Sequence, residues 1–184
     1  MKKLTTPVFR GSFVNLLQPS IPPGGDESDA KYQITVPLAK DSEFIATVRE
    51  ACEQAAKDKF GPNVKFSDEK RKGHVWLPLR DGDESGYTEH EGCITFQASS
   101  KRQPDIAEKG TLAPVMDANR LFSGAAYRIT CTPYAWEWQG SRGVSMSLGN
   151  VLLVDDTLDA YDGRSTAASD FADFNDDLDS ELLD

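Results

Sequence analysis

Apolar and polar residues alternate with period two over residues 31–38. Tyr32, Ile34, Val36 and Leu38 fall on one side, and Lys31, Gln33 and Thr35 on the other. This is the pattern of a strand with one buried face. An earlier strand runs from Val8 to Leu17, with Phe9, Phe13 and Leu17 at every fourth residue on one face. Between the two, Pro19, Pro22, Pro23, Gly24 and Gly25, followed by acidic residues, predict a loop over 18–30. The period then changes. Phe44, Val48, Ala51, Cys52 and Ala55 recur at three-and-four spacing behind Asp41 or Ser42, either of which suits a helix N-cap. Glu53 stands four residues before Lys57 as a favourable surface pair, and Gly61-Pro62 stops the helix.

Shorter signals follow. Ser67 to Lys72 is a charged connector, and His74 to Leu79 a short strand. Arg80-Asp81-Gly82-Asp83 reads as a turn centred on Asp-Gly. Ile94, Phe96 and Ala98 form the buried face of a further strand, and Lys101 to Ala118, with Pro104, Gly110 and Pro114, is a long polar excursion. Residues 125–138 and 143–154 make a hairpin around Gln139-Gly140-Ser141-Arg142-Gly143. The pattern predicts a mainly β domain of five or six strands with one amphipathic helix and long loops, spanning residues 1–157. From Leu158 on the periodicity dissolves, and 158–184 is expected to be an acidic, disordered tail.

The chain of 184 residues is 39% hydrophobic, enough for one core. Its net charge of −10 argues against nucleic acid until the charge is located. Residues 1–154 carry 19 basic and 19 acidic side chains; residues 155–184 carry one basic residue, Arg164, against 11 acidic ones. A neutral body with an anionic end is a different object from an acidic protein. No apolar run is long enough to span a bilayer, and Thr5, Thr6, Pro7 and Arg10 stand where a signal peptide has its apolar core, so a soluble cytoplasmic protein is expected. Cys52, Cys93 and Cys131 lack metal-ligand spacing and read as buried small hydrophobes without a disulfide; neither His74 nor His90 is placed as a ligand or catalyst.

The first hairpin strand carries the chemistry. One face holds Tyr127, Ile129, Cys131, Pro133 and Ala135, a core-like row. The other holds Arg128, Thr130, Thr132, Tyr134, Trp136 and Trp138, with Arg142 in the turn and the small Ser145 and Ser147 on the partner strand. A cation, hydroxyls and three large aromatics are what unpaired nucleic acid requires: bases stack on aromatic rings without regard to sequence, and cations meet phosphates. Packing beneath the helix or a loop would account for the same aromatics, and Pro133 can shift the alternation. Three basic groups end or join strands where a groove would lie: Lys70-Arg71-Lys72, Arg80, and Lys101-Arg102.

Several motifs resemble phage-encoded single-stranded-DNA-binding proteins with an OB fold. They are Lys31-Tyr32 with Thr35-Val36, Leu79-Arg80-Asp81-Gly82-Asp83, Ala98-Ser99-Ser100-Lys101-Arg102 followed by Pro104, Tyr127, Pro133-Tyr134-Ala135, and Gly143-Val144-Ser145 with Leu148 and Val151. The resemblance covers roughly residues 7–154, and residues 18–30 are a local departure. It implies a five-stranded OB barrel closed by a helix, binding across its concave face, with an acidic tail after the body.

The function expected is therefore sequence-nonspecific coating and protection of single-stranded DNA in phage replication or recombination, inside the bacterial host. The DNA-binding residues would be Lys70, Arg71, Lys72, Arg80, Lys101, Arg102, Arg128, Tyr134, Trp136, Trp138 and Arg142. No cofactor, metal or catalytic residue is expected. In the tail, Phe171 and Phe174 sit among Asp170, Asp173, Asp176, Asp177, Asp179, Glu181 and Asp184; negative charge with intermittent rings imitates a nucleic-acid strand and would compete for the groove and recruit replication partners. Asp173, Asn175 and Asp177 have the alternate spacing of a calcium loop, but Leu178 replaces the required glycine. Two other classes compete. A protein-interaction module would use the same aromatics as a contact. A metal-dependent nuclease would need converging acids, for which Asp81, Asp83 and Glu84 are the candidates.

Overall fold

The computed structural model describes residues 2–162. The tail residues singled out above, Asp170 to Asp184, lie outside this range. Eleven strands and one long helix are described. They are β1 (Leu4–Thr5), β2 (Phe9–Arg10), β3 (Ser12–Ser20), β4 (Lys31–Ala39), α1 (Glu43–Phe60), β5 (Phe66–Ser67), β6 (Val75–Trp76), β7 (Arg80–Asp81), β8 (Cys93–Ser100), β9 (Ile106–Glu108), β10 (Ala126–Trp138) and β11 (Ser141–Asp155). Helix α1 begins after Ser42 and ends at Gly61, whose N–H donates to the Lys57 carbonyl, and Glu53 and Lys57 pair on its surface as their spacing predicts.

Strand β11 is long enough, about 50 Å when extended, to take three partners in succession on one edge. Parallel to it run β6 at Arg142–Gly143, β8 at Met146–Ser147 and β9 at Val151–Leu153. Its other edge pairs antiparallel with β10 along almost its whole length. From β8 the path continues antiparallel through β4 to β3. The segment that begins at Phe9 divides its pairing: β2 bonds to β10, and β3, one residue later, bonds to β4. The path β3–β4–β8–β11–β10 is thus joined at its two ends through Gly11. A Cβ at Gly11 would stand 2.7 Å from the Tyr127 ring, so this crossing admits only glycine without movement.

Inward rows of the long strands meet in one core. Ile34, Val36, Phe96, Ala98, Tyr127, Ile129, Val144 and Met146 are all buried, and Val48, Cys52 and Ala56 of α1 pack onto them. Cys52 Sγ lies 3.7 Å from Met146 Sδ. Burial pushes the Cys52 and Cys131 thiols up to about 12, as expected for cysteines acting as small hydrophobes; Cys93 is only half-buried.

Three expectations change. Phe9, Phe13 and Leu17 do not share a face: Phe9 is buried, Phe13 is exposed, and Leu16 enters the core instead. The register of β3 on β4 shifts twice, and Phe13 has φ of +50°, so a bulge breaks the periodicity. Arg80–Asp81 is a short strand on β8, and the turn comes after it, at Gly82–Glu84. The hairpin turn is tighter than five residues: Gln139 and Gly140, both at positive φ, connect β10 directly to β11. From the end of β11 to Tyr161 the chain stays on the body. Asp156 pairs with Arg120, the Tyr161 N–H donates to the Ser123 carbonyl, and Arg10 donates to the Asp159 carbonyl while its guanidinium lies 4.7 Å from the Tyr161 ring centre.

Lys40, just after β4, ties this strand to the β7–β8 corner through Asp81 and Asp83. Hydrogen bonds from Lys40 hold both carboxyls below their ordinary pKa, and the same bonds raise that of Lys40. The clamp is complete above the usual aspartate value of 3.8 and is lost as pH falls through the lowered values. Lys40→Met is therefore expected to be less stable than the wild type in urea at pH 7. The gap should close on acidification below pH about 3.8; a gap independent of pH would refute the clamp.

Candidate nucleic-acid interface

The two faces of β10 separate as its sequence predicts. Tyr127, Ile129, Cys131 and Pro133 are buried, while Arg128, Tyr134 and Trp138 are exposed. Tyr134 is 37% and Trp138 69% accessible. Neither hairpin tryptophan is sealed inside. Trp136 lies half-buried across its partner Gly143, where a Cβ would overlap the indole, and its Nε1–H donates to Ser145 Oγ at 2.9 Å. Glycine at 143 and serine at 145 therefore make the shallow bed on which the ring lies flat.

Gly143 has a second neighbour, Trp76, on the opposite edge of β11. Paired residues point to the same side of a sheet. Trp76 and Trp136 thus flank Gly143 on the outer face. The Trp76 indole donates from Nε1 to the Asp68 carbonyl and carries cations on its ring: Arg80 at 3.9 Å and Lys70 at 4.9 Å from the centroid. Arg80 is further fixed by the carbonyls of Asp68, Leu77 and Leu79, and burial lowers the pKa of its guanidinium. Asp68 is itself held by a two-bond fork from Arg49. Arg80 is accordingly a stacked, anchored cation rather than a free one.

The remaining predicted cations fall into two groups. Near the hairpin, Lys72 and Arg142 line an open cleft of about 580 Å³ together with Lys65, His74 and Phe60. Arg142 pairs in register with the inward Val75, so it points away from the face that carries Gly143; there it lies 5.1 Å from the Phe60 ring centre and pairs with Glu137 at 2.9 Å. Arg71 is exposed on the connector that leads there. At the other end, Lys101 and Arg102 are exposed just beyond β8; Arg102 shares a second cleft with Ser100, Gly149 and Asn150. Arg128 is on the same side, because Asn150 N–H bonds to Thr130 Oγ1, two residues from it. Between the ends the outer row is small and polar: Thr132, Ser147, Ser99 and Gln33 pair in sequence across β10, β11, β8 and β4. From Trp136 to Arg128 is about 26 Å along the strand.

Trp76 was absent from the sequence-predicted site, although its signal was present: Val75, Leu77 and Leu79 are inward, which leaves Trp76 outward. The nuclease candidates do not converge on a vacant centre. Asp81 and Asp83 grip Lys40, Asp81 accepts the Asp83 N–H as a turn cap, and Asp83 accepts the Gly92 N–H at 2.6 Å. Among the described residues, no group of three His, Cys, Asp or Glu side chains is placed to hold a metal, and no helix is long and apolar enough to cross a membrane.

Comparison with known proteins bears on the family and the fold. The family model described as Enterobacter phage Enc34, ssDNA-binding protein, matches residues 2–183. The single-stranded DNA-binding protein of bacteriophage Enc34, solved in complex with ssDNA, shares the fold at a TM-score of 0.69 and 20% identity, over 83% of this chain and 86% of that one. The single-stranded DNA-binding protein gp2.5 of bacteriophage T7 aligns at a TM-score of 0.56 and 14% identity, over 87% of this chain and 94% of that one. Protein p50 of Acyrthosiphon pisum secondary endosymbiont phage 1 is 32% identical over 106 residues, which are 57% of this chain and 56% of that protein; the match thus spans little more than half the length of this curated relative.

The bed under Trp136 makes a direct prediction. Gly143→Ala must lift the indole from β11, so the near-ultraviolet circular dichroism of the tryptophans should change and stability should fall by about 1–3 kcal/mol. An unchanged spectrum would show that the ring does not rest on Gly143.

Proposed function

This chain belongs to the family of the Enterobacter phage Enc34 ssDNA-binding protein, and from that premise we propose that it coats unpaired DNA across the outer face of β10, β11 and β8. It is a DNA-binding protein and not an enzyme. The ring of pairing from β2–β3 through β4, β8, β11 and β10 is read as a five-stranded OB barrel, with α1 packed on its core. The observation that carries the reading is the outer row Trp76–Gly143–Trp136, its two indoles half-buried beside the glycine, with the exposed Tyr134 next to it, on a floor of small hydroxyl side chains with cations at both ends. Stacking on rings supplies affinity for any base, about 1–3 kcal/mol each. Lys72, Lys101, Arg102 and Arg128 supply the salt-sensitive part by displacing counterions from phosphates. Small Ser, Thr and Gly side chains keep the floor low, so the backbone of an extended strand can approach the sheet. In the cell such a protein would cover exposed strands during phage replication or recombination.

The acidic residues 170–184 enter the same reading. Within the proposal they compete with DNA for the cationic ends, and are set free to bind replication partners once DNA displaces them. The charge division, a neutral body against a strongly anionic end, supports this part.

Titration of tryptophan fluorescence with oligo-dT at two salt concentrations tests the main reading. Quenching is expected, with affinity falling steeply as salt rises. Trp138→Ala combined with Trp136→Ala should lower affinity about tenfold or more. Trp138→Ala alone should leave melting unchanged, because its ring is largely solvated. Wild-type affinity in a folded double variant would overturn the assignment. Removal of the residues after about position 165 should tighten binding at low salt and change it little at high salt, where charge competition is screened; equal affinities at low salt would remove the tail from the mechanism.

A further inference from the structure

A second pair of aromatic rings stands on the surface, apart from Trp76 and Trp136. Phe13 is 39% and Tyr87 46% accessible, and their rings meet edge to face with centroids 5.0 Å apart. His90, buried, lies behind both, 6.0 Å from the Phe13 ring and 5.5 Å from that of Tyr87. None of the three belongs to the hydrophobic core.

Phe13 occupies this place at a conformational cost. Its φ of +50° lies in the left-handed region that side chains other than glycine rarely adopt. Gly11 faces Tyr127 and Ile34 in the core. Regular alternation from there would send Phe13 inward as well. The bulge turns the ring outward instead, and Val14 and Leu16 take the core-facing positions. A strained residue that also leaves its ring in water gains little from burial to offset the strain, and such outliers gather at binding sites. Tyr87 is positioned with equal care. Its loop is closed by Asp83 accepting the Gly92 N–H, and Gly82 runs so close beneath the His90 carbonyl that no Cβ fits.

The pair borders the face already described. Ser12, next to Phe13, pairs with Thr35, which pairs with Gln97; these alternate with the core residues Ile34, Val36, Phe96 and Ala98 and so lie on the outer side of the sheet, where Gln97 is exposed and Ser12 and Thr35 are covered. The adjacent row runs without a break from Asn15 on β3 to Thr132 on β10. Four interstrand spacings, about 19 Å, separate its ends. A strand of DNA that stacks on Trp136 and crosses the polar floor reaches Phe13 at the far edge.

We propose that Phe13 and Tyr87 form a second base-stacking station for the same single strand, so that DNA is held at both margins of the outer face. This rests on the reading of that face as the DNA-binding surface. Positive φ at Phe13 is the device that makes the station: it takes a ring out of the core-facing row and presents it to solvent.

The test uses the full chain and oligo-dT of about 4 and about 16 nucleotides, the lower and upper site sizes of one OB domain. The short strand is held at the tryptophan end alone; the long one spans both stations. Phe13→Gly and Tyr87→Ala should each weaken binding of the long strand about fivefold or more and leave the short strand unaffected. Phe13→Gly should also melt no lower than Phe13→Ala, because glycine accepts the left-handed backbone. Tyr87→Ala, at an exposed loop position, provides the reading if position 13 proves necessary for folding. Wild-type affinity for both lengths in both variants overturns the second station, as does an equal loss at both lengths. Trp136→Ala separates the two claims. If it weakens both strands while the Phe13 and Tyr87 variants do not, only the second station falls. If it also leaves both affinities intact, the outer-face reading falls with it.

Discussion

The divided pairing of residues 9–20 is the constraint on which the rest depends. Two residues bond to β10, one glycine follows, and the nine-residue strand after it pairs with β4. Without that split the sheet would have two free edges and a single sense of inside would not exist. With it, every long strand has an inward row committed to one core and an outward row that the core does not need. Gly11 makes the crossing possible, because the Tyr127 ring occupies the space that any side chain there would fill. The core then sets what the outer row is free to be. Tyr127, Ile129 and Cys131 bury one side of β10, and Thr132, Tyr134, Trp136 and Trp138 on the other side are not called on by that core.

Electrostatics on this face is local rather than global. A body with as many acids as bases has no net field to draw in a polyanion. What it has is placement. Glu137 and Asp68 hold Arg142 and Arg49, and the acids at 81 and 83 are spent on Lys40. Arg80 contributes less as a charge than as a slab: stacked at 3.9 Å on Trp76 and bonded to three carbonyls, it covers one face of the indole and keeps it from rotating. A ring fixed before binding loses less entropy when a base stacks on it.

Much of this was legible in the chain because it rests on periodicity. The alternation over 31–38 and 127–135, the three-and-four spacing of α1, and the hairpin after residue 138, though with a tighter turn than Gln139 to Gly143, all correspond to observed elements. What escaped depends on contacts that no local window contains. Arg80 looks like a turn cation until Asp68 and Trp76 come to it from earlier in the chain. The acids at 81 and 83 look like turn residues, and only the arrival of Lys40 from the end of β4 shows the clamp they form. Phe13 was misplaced for a different reason: its spacing from Phe9 and Leu17 predicts a shared face, and only a backbone bulge cancels it. A bulge in a strand carries no signature in side-chain type when the residue at its turning point is not glycine. The aromatic pair on Gly143 lies between these cases, since Trp76 and Trp136 each show outward periodicity but only the parallel register of β6 on β11 brings them to one residue.

The chemistry of the outer row also bears on selectivity. Reading base edges needs long, directed donors and acceptors held in a fixed geometry. Along the row from Asn15 to Thr132 the residues are Asn15, Gln33, Ser99, Ser147 and Thr132, and toward the hairpin come Ser145 and Gly143. Most of these reach only a short way above the sheet. Ser145 is already occupied by the Trp136 indole, and Thr130 by the Asn150 backbone. Apart from Gln33 and the cations at the margins, the large groups that do project are rings, and a ring accepts the flat face of every base alike. On the proposed reading, indifference to sequence follows from side-chain length: most groups of the floor are too short or already bonded to read base edges, and the rings that reach do not discriminate.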